Sequence, residues 1–99
     1  MTVYWTRNAK GELRAIHDYI AQNSPRYAQG TVDRITRRTN QLASHPQLGA
    51  VVPEYSEASI RELLVYPYRI LYRVGESRIE VLSVVHGARQ LPMDLPVDV

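Results

Sequence analysis

Apolar positions recur along this chain with two different periods, and the change of period marks its architecture. In the first half Ala9, Leu13, Ile16 and Ile20 recur at spacings of four, three and four, one stripe of an amphipathic helix, and Tyr19 widens that stripe. Thr6 or Asn8 is placed to cap this helix. Asn23-Ser24-Pro25 breaks the chain and restarts it, with Ser24 as N-cap and Pro25 at the first helical position. Ala28, Val32, Ile35, Thr39 and Leu42 form the second stripe, and His45-Pro46 ends it, because the residue before a proline avoids the helical region. So short a link predicts an antiparallel helical hairpin. Val3 to Thr6, ahead of it, is a short β-prone segment.

In the second half the period falls to two. Gln47 to Ser59 reads as an irregular loop, followed by strands over 60–66, 68–74 and 78–86, with turns at Pro67 and Gly75-Glu76-Ser77. Tyrosine, valine and isoleucine dominate these strands, as a half-buried pleated surface prefers. In the middle strand Tyr68, Ile70, Tyr72 and Val74 share one face, and Arg69, Leu71 and Arg73 the other. In the last strand Ile79, Val81, Ser83 and Val85 oppose Arg78, Glu80, Leu82, Val84 and His86. The first face is expected to pack on the hairpin. The second is expected to be more open, with Arg69 and Arg73 near its centre. The expected class is α+β, in the order β-α-α-β-β-β, and the first strand is expected at an edge or in a mixed position.

Composition narrows this picture. Ninety-nine residues make one domain, 1–99, with one core. There is no cysteine, which removes disulfides, thiolate metal sites and thiol nucleophiles together and suits a reducing compartment. No apolar run approaches a membrane span and the N-terminus lacks a signal-peptide pattern, so a cytoplasmic location is expected. The formal net charge is only +2, but of the twelve basic residues Lys10 is the only lysine. Arginine suits bidentate contacts with carboxylate or phosphate, so the bias points to an acidic protein or nucleic-acid partner.

For RNA cleavage through the 2′-hydroxyl, Arg69 could serve as the cation and His86 as acid or base, with Arg89 just beyond and Glu54 and Tyr55 in the loop. The simpler alternatives are an ion pair of Arg69 with Glu62 or Glu80, and a His86 bonded to backbone. His17 flanks the helix stripe and His45 caps a helix end. The three histidines lack ligand spacing, so no metal site is expected, and no motif calls for a cofactor. The tyrosines are read as packing groups, and Tyr66-Pro67-Tyr68 as a hairpin corner rather than a base-stacking platform.

Several pieces, taken in order, carry a family resemblance. They are Leu13-x-x-Ile16-x-x-Tyr19-Ile20-Ala21, Ser24-Pro25-x-x-Ala28, Leu42-x-x-x-Pro46-x-x-Gly49, Pro53-Glu54 and Arg61-Glu62. Tyr68-Arg69-Ile70-Leu71-Tyr72-Arg73-Val74 and Val85-His86-Gly87-Ala88-Arg89-Gln90-Leu91-Pro92 complete them. Together they resemble the RelE/ParE superfamily of type II toxin–antitoxin toxins over nearly the whole chain. The resemblance implies a growth-arresting toxin neutralised by a small acidic antitoxin. The helical hairpin's outer groove and the open sheet face are the docking surfaces it implies, with Arg61, Arg69, Arg73, His86 and Arg89 as binding residues. RelE-like members are ribosome-dependent mRNA endonucleases, and ParE-like members poison DNA gyrase. Arg69 matches an arginine that the nucleases use, and His86 a catalytic histidine in some of them. Gly87 stands where RelE-type enzymes carry a second catalytic arginine or, beside that histidine, a tyrosine. Met93 stands near where they carry a C-terminal tyrosine. These departures favour a ParE-like inhibitor of gyrase over a RelE-like endonuclease and leave enzymatic activity open, leaning to none.

Overall fold

The computed structural model describes residues 1–87 and 91. Helix α1 (Arg7–Ala21) starts at Thr6, whose Oγ1 accepts from the Ala9 N–H, and helix α2 (Pro25–Asn40) starts at Ser24, whose Oγ accepts from Tyr27. α2 ends in a 3₁₀ turn, Gln41–Ala43, that buries Leu42. The strands are β1 (Thr2–Trp5), β2 (Ala50–Val51), β3 (Ile60–Val65), β4 (Tyr68–Val74) and β5 (Arg78–His86). They form one sheet in the order β1-β5-β4-β3-β2, in which β1 runs parallel to β5 and every other pairing is antiparallel. The α+β architecture thus has the expected order, with one short extra strand and β1 at an edge. Among the described residues no helix is long and apolar enough to cross a membrane.

The hairpin covers one face of the sheet. Ala9, Ile35 and Leu42 pack there against Leu63, Val65, Ile70, Tyr72, Ile79, Val81 and Val84. Tyr19 does not join this contact and is 74% exposed. It precedes Ile20 by one residue, so it stands about 100° round the helix from it, on the far flank of the stripe.

The other face is not open. Residues 50–59 fold back over it, and Val52, wholly buried, packs with Ile60, Leu71, Leu82 and Val85 as a second small core. Two polar contacts pin this return. The Tyr72 hydroxyl, inside the main core, donates to the Pro46 carbonyl and accepts from the Gly49 N–H, both at 2.9 Å. Arg61 Nη1 donates to the Gly49 carbonyl at 2.8 Å. A Cβ at Gly49 would overlap the Glu62 carbonyl and lie 2.9 Å from the Tyr72 hydroxyl, so only glycine fits the approach.

The expected facing of β5 holds for its first half and fails for its second. Leu71 pairs with Ser83 but Tyr72 pairs with Val81, so Leu82 is an extra residue in the ladder. This β-bulge reverses the alternation beyond it. Val84 therefore faces the hairpin and Val85 the second core, the opposite of the simple pattern. The N-terminal end of α1 takes up the polar groups that the bulge exposes. Thr6 Oγ1 donates to the carbonyls of Val81 and Leu82, and Asn8 Nδ2 to that of Leu82. Glu12 Oε1 accepts from Ser83 Oγ at 2.7 Å, and from the Val84 N–H and Asn8 Nδ2 at 3.0 Å each. Glu12→Ala would strand the Val84 N–H in the interface. A loss of about 2 kcal/mol is expected, lowering the melting temperature by about 10 °C in a thermal scan.

Candidate functional site

The sheet's second face carries the cations singled out by the alternation of β4. Arg69 lies between Leu64 on β3 and Val85 on β5. Its Nε donates to Glu62 Oε1 at 2.7 Å, while Nη1 and Nη2 reach the two oxygens of Glu54 at 2.9 and 3.1 Å. The guanidinium is therefore forked onto one carboxylate and tied along its edge to a second. Its side chain is 12% exposed and that of Glu62 13%, whereas Glu54, at 44%, closes the arrangement from the solvent side. The bonds from Glu54 and then Glu62 raise the Arg69 pKa further, and the bond from Arg69 holds the Glu54 carboxyl below the usual carboxylate range. Of the two ion pairs weighed as alternatives for Arg69, the one with Glu62 forms and the one with Glu80 does not, and the loop glutamate Glu54 joins it.

Glu80 has other partners. Arg73 Nη2 donates to it at 2.7 Å and Arg78 Nη2 at 3.0 Å, and the Arg78 guanidinium stacks 5.1 Å from the centre of the Tyr4 ring. Hydrogen bonding from Arg73 lowers the Glu80 pKa, against the desolvation that raises it.

Two of the other sequence-predicted residues, His86 and Arg61, stand off the Arg69 face, whereas Tyr55 packs on the second core. His86 pairs across the ladder with Tyr68, and the rings meet edge to face with centroids 6.1 Å apart. Tyr68 packs on the hairpin-side core, so His86 stands on the opposite face of the sheet from Arg69. The bulge is the cause, since it reverses facing after Leu82. Arg61 pairs with Tyr72, also off the Arg69 face, and is bound to Gly49. Arg89 and Met93 lie outside the described residues. Gly87 closes the ladder through its N–H to the Pro67 carbonyl, and a Cβ there would meet that oxygen at 3.2 Å.

Two further surfaces stand out: the hairpin's outer groove, which the resemblance implies, and a set of exposed tyrosines, which sequence reasoning missed. A groove of about 710 Å³ runs between the helices, lined by Trp5, Leu13, Val32 and Thr36 with Lys10, Arg14, His17 and Asp18 at its rim. The tyrosines read as packing groups include four that face solvent: Tyr4, Tyr19, Tyr27 (61% exposed) and Tyr66 (87%).

Removing one partner of a part-buried pair costs more than removing an exposed one. Arg69→Ala, which strands Glu62, is expected to lose about 2 kcal/mol in urea melts, and Glu54→Gln to change stability little. Because the folded Glu80 pKa lies below its ordinary value of 4.5, ionised Glu80 contributes stability above that pH, and the contribution is lost as pH falls through the lowered value. Glu80→Gln should therefore flatten the fall in stability below about pH 4.5, measured by melts across pH.

The sequence matches, over residues 3–91, the family described as "ParE toxin of type II toxin-antitoxin system, parDE". It is 38% identical over 88 residues to Toxin RelE2 of Caulobacter vibrioides, an alignment covering 88% of this chain and 96% of that one. Among solved structures, the chromosomal ParDE TA system from P. aeruginosa superposes with a TM-score of 0.71 at 28% identity, over 87% of this chain and 95% of that one. An order of elements set by two periods of apolar residues, a sheet with β1 parallel at its edge, and a match over nearly the full length agree: the chain belongs to the ParE toxin family of the RelE/ParE superfamily and is the toxin of a type II toxin–antitoxin system, a role that implies a cognate antitoxin as its partner.

Proposed function

We propose that this toxin arrests growth by inhibiting DNA gyrase and does so without catalysis. The observation that carries the reading is the engagement of Arg69. This cation, which matches a nuclease arginine, has its fork on Glu54 and its Nε on Glu62. A phosphorane would have to displace two carboxylates to reach it. His86, which would move the proton, is on the other face of the sheet, and Gly87 offers no acid. The match to the ParE family points the same way.

In this reading Arg69 and Arg73 hold the sheet and its covering loop together, and the antitoxin docks in the groove between α1 and α2. Trp5, Leu13 and Val32 offer it apolar anchors there, and Lys10 and Arg14 complement an acidic segment.

A second reading is a ribosome-dependent mRNA endonuclease acting in the cytoplasm. The name RelE2 carried by a relative 38% identical to this chain favours it. One induced culture separates the two. Gyrase poisoning predicts loss of negative supercoiling in plasmid DNA and inhibition of purified gyrase by excess toxin, with full-length transcripts retained. Transcripts cut on ribosomes while supercoiling stays normal would reject it.

A further inference from the structure

Two groups of arginines among the described residues differ in their partners. Those on the sheet are engaged: Arg69 with Glu54 and Glu62, Arg73 and Arg78 with Glu80, and Arg61 with a backbone carbonyl. On α2 the situation differs. Arg26, Arg34 and Arg37 line one groove of about 390 Å³ with Tyr27, Gly30 and Thr31, and no carboxylate lines it among the described residues. Asp33, the acid on this helix, is turned to Gln29, whose Nε2 donates to it at 3.0 Å. None of the three arginines makes an ion pair among the described residues. An ion pair uses up a guanidinium's fork, and among the described residues these three are held by no carboxylate.

One aromatic ring, that of Tyr27, lines this groove, and further tyrosines lie on the neighbouring segments. Arg34 Nη1 reaches the Tyr66 carbonyl at 3.5 Å, which brings the turn between β3 and β4 against α2. Tyr68 stands on the same side, where burial raises its phenol pKa and Tyr27, Arg34 and Tyr19 are near enough to act on its charge. Tyr27 lines the groove, and Tyr19 and Tyr66, also exposed, belong to the segments beside it. Gly30 leaves the floor of the groove open, since nothing lies within 4 Å of where its Cβ would be.

We infer that this corner of α2 and the β3–β4 turn binds single-stranded nucleic acid, its phosphates on Arg26, Arg34 and Arg37 and its bases on the exposed tyrosines. The chemistry favours a single strand over the alternatives. An acidic peptide would satisfy the arginines but leave the ring faces without use. Duplex DNA keeps its base faces stacked, whereas a single strand offers both a phosphate line and free π-faces. From Arg26 to Arg37 the helix rises roughly 16 Å at about 1.5 Å per residue, long enough to follow successive phosphates of one strand. The surface is separate from the Arg69 cluster and does not depend on gyrase being the target.

The test is fluorescence anisotropy of labelled oligothymidylate and oligouridylate with the purified toxin, against duplex DNA and polyglutamate as competitors. Saturable binding to one or both single strands is expected, and the pair of probes separates DNA from RNA. The combined variant Arg26→Gln, Arg34→Gln, Arg37→Gln should reduce the slope of log affinity against log salt by about two, because each phosphate neutralised on a single strand adds about 0.7 to that slope. Tyr27→Ala and Tyr66→Ala should each weaken binding by about tenfold. These side chains are exposed or at the rim, and a circular-dichroism melt checks that each variant folds. If the triple variant fails to fold, the two tyrosine variants decide. Absence of saturable binding, affinity unchanged in the variants, or displacement by polyglutamate as effective as by oligothymidylate would overturn the inference.

Discussion

The hydroxyl of Tyr72 is the contact on which the rest of the sheet's second face depends. It lies inside the main core, where an unpaired phenol would cost free energy, and it finds its two partners outside the strand, at Pro46 and Gly49. That demand draws the chain after α2 down to the sheet. Once Gly49 is held, β2 pairs with β3, Val52 seats in the second core, and Glu54 arrives over Arg69. A single buried polar atom thus connects the hairpin-side core to the electrostatics of the opposite face. The glycine at position 49 is required because the same approach leaves no room for a side chain.

Much of this fold was legible in the residues. The caps at Thr6 and Ser24, the helix stripes, and the bounds of β4 and β5 follow from local chemistry, since each depends on neighbours within a turn or a pleat. What was not legible is what depends on partners far along the chain. The bulge at Leu82 has no signature in β5 itself, and its satisfying groups, Thr6, Asn8 and Glu12, lie more than seventy residues away. A strict period of two then puts His86 beside Arg69 when the ladder puts it across from Tyr68. The loop over 47–59 likewise looked irregular because its order comes from Tyr72 and Arg61, not from its own composition.

The same distinction bears on the candidate site. Arg69 was readable as a special cation from its place at the centre of an alternating strand, but its engagement was not, because Glu54 comes from a segment with no regular pattern. A side chain that matches a catalytic position by alignment can serve a different end when its donors are already used. Among the described residues the sheet arginines Arg69 and Arg73 are therefore paired with carboxylates, while Arg26, Arg34 and Arg37 on α2 are not.

The carboxylate of Glu12 has a consequence beyond its hydrogen bonds. Apolar layers slide over one another at little cost, so a helix lying on a greasy sheet has several near-equivalent resting points along its axis. Here the helix carries an acceptor that is satisfied only at the one place where the bulge leaves an N–H and a hydroxyl unclaimed. A shift by one turn, about 5.4 Å, would bury that charge against carbonyls or methyls. The irregularity in the ladder therefore acts as a detent between the two layers, and the groove between the helices inherits its position from it.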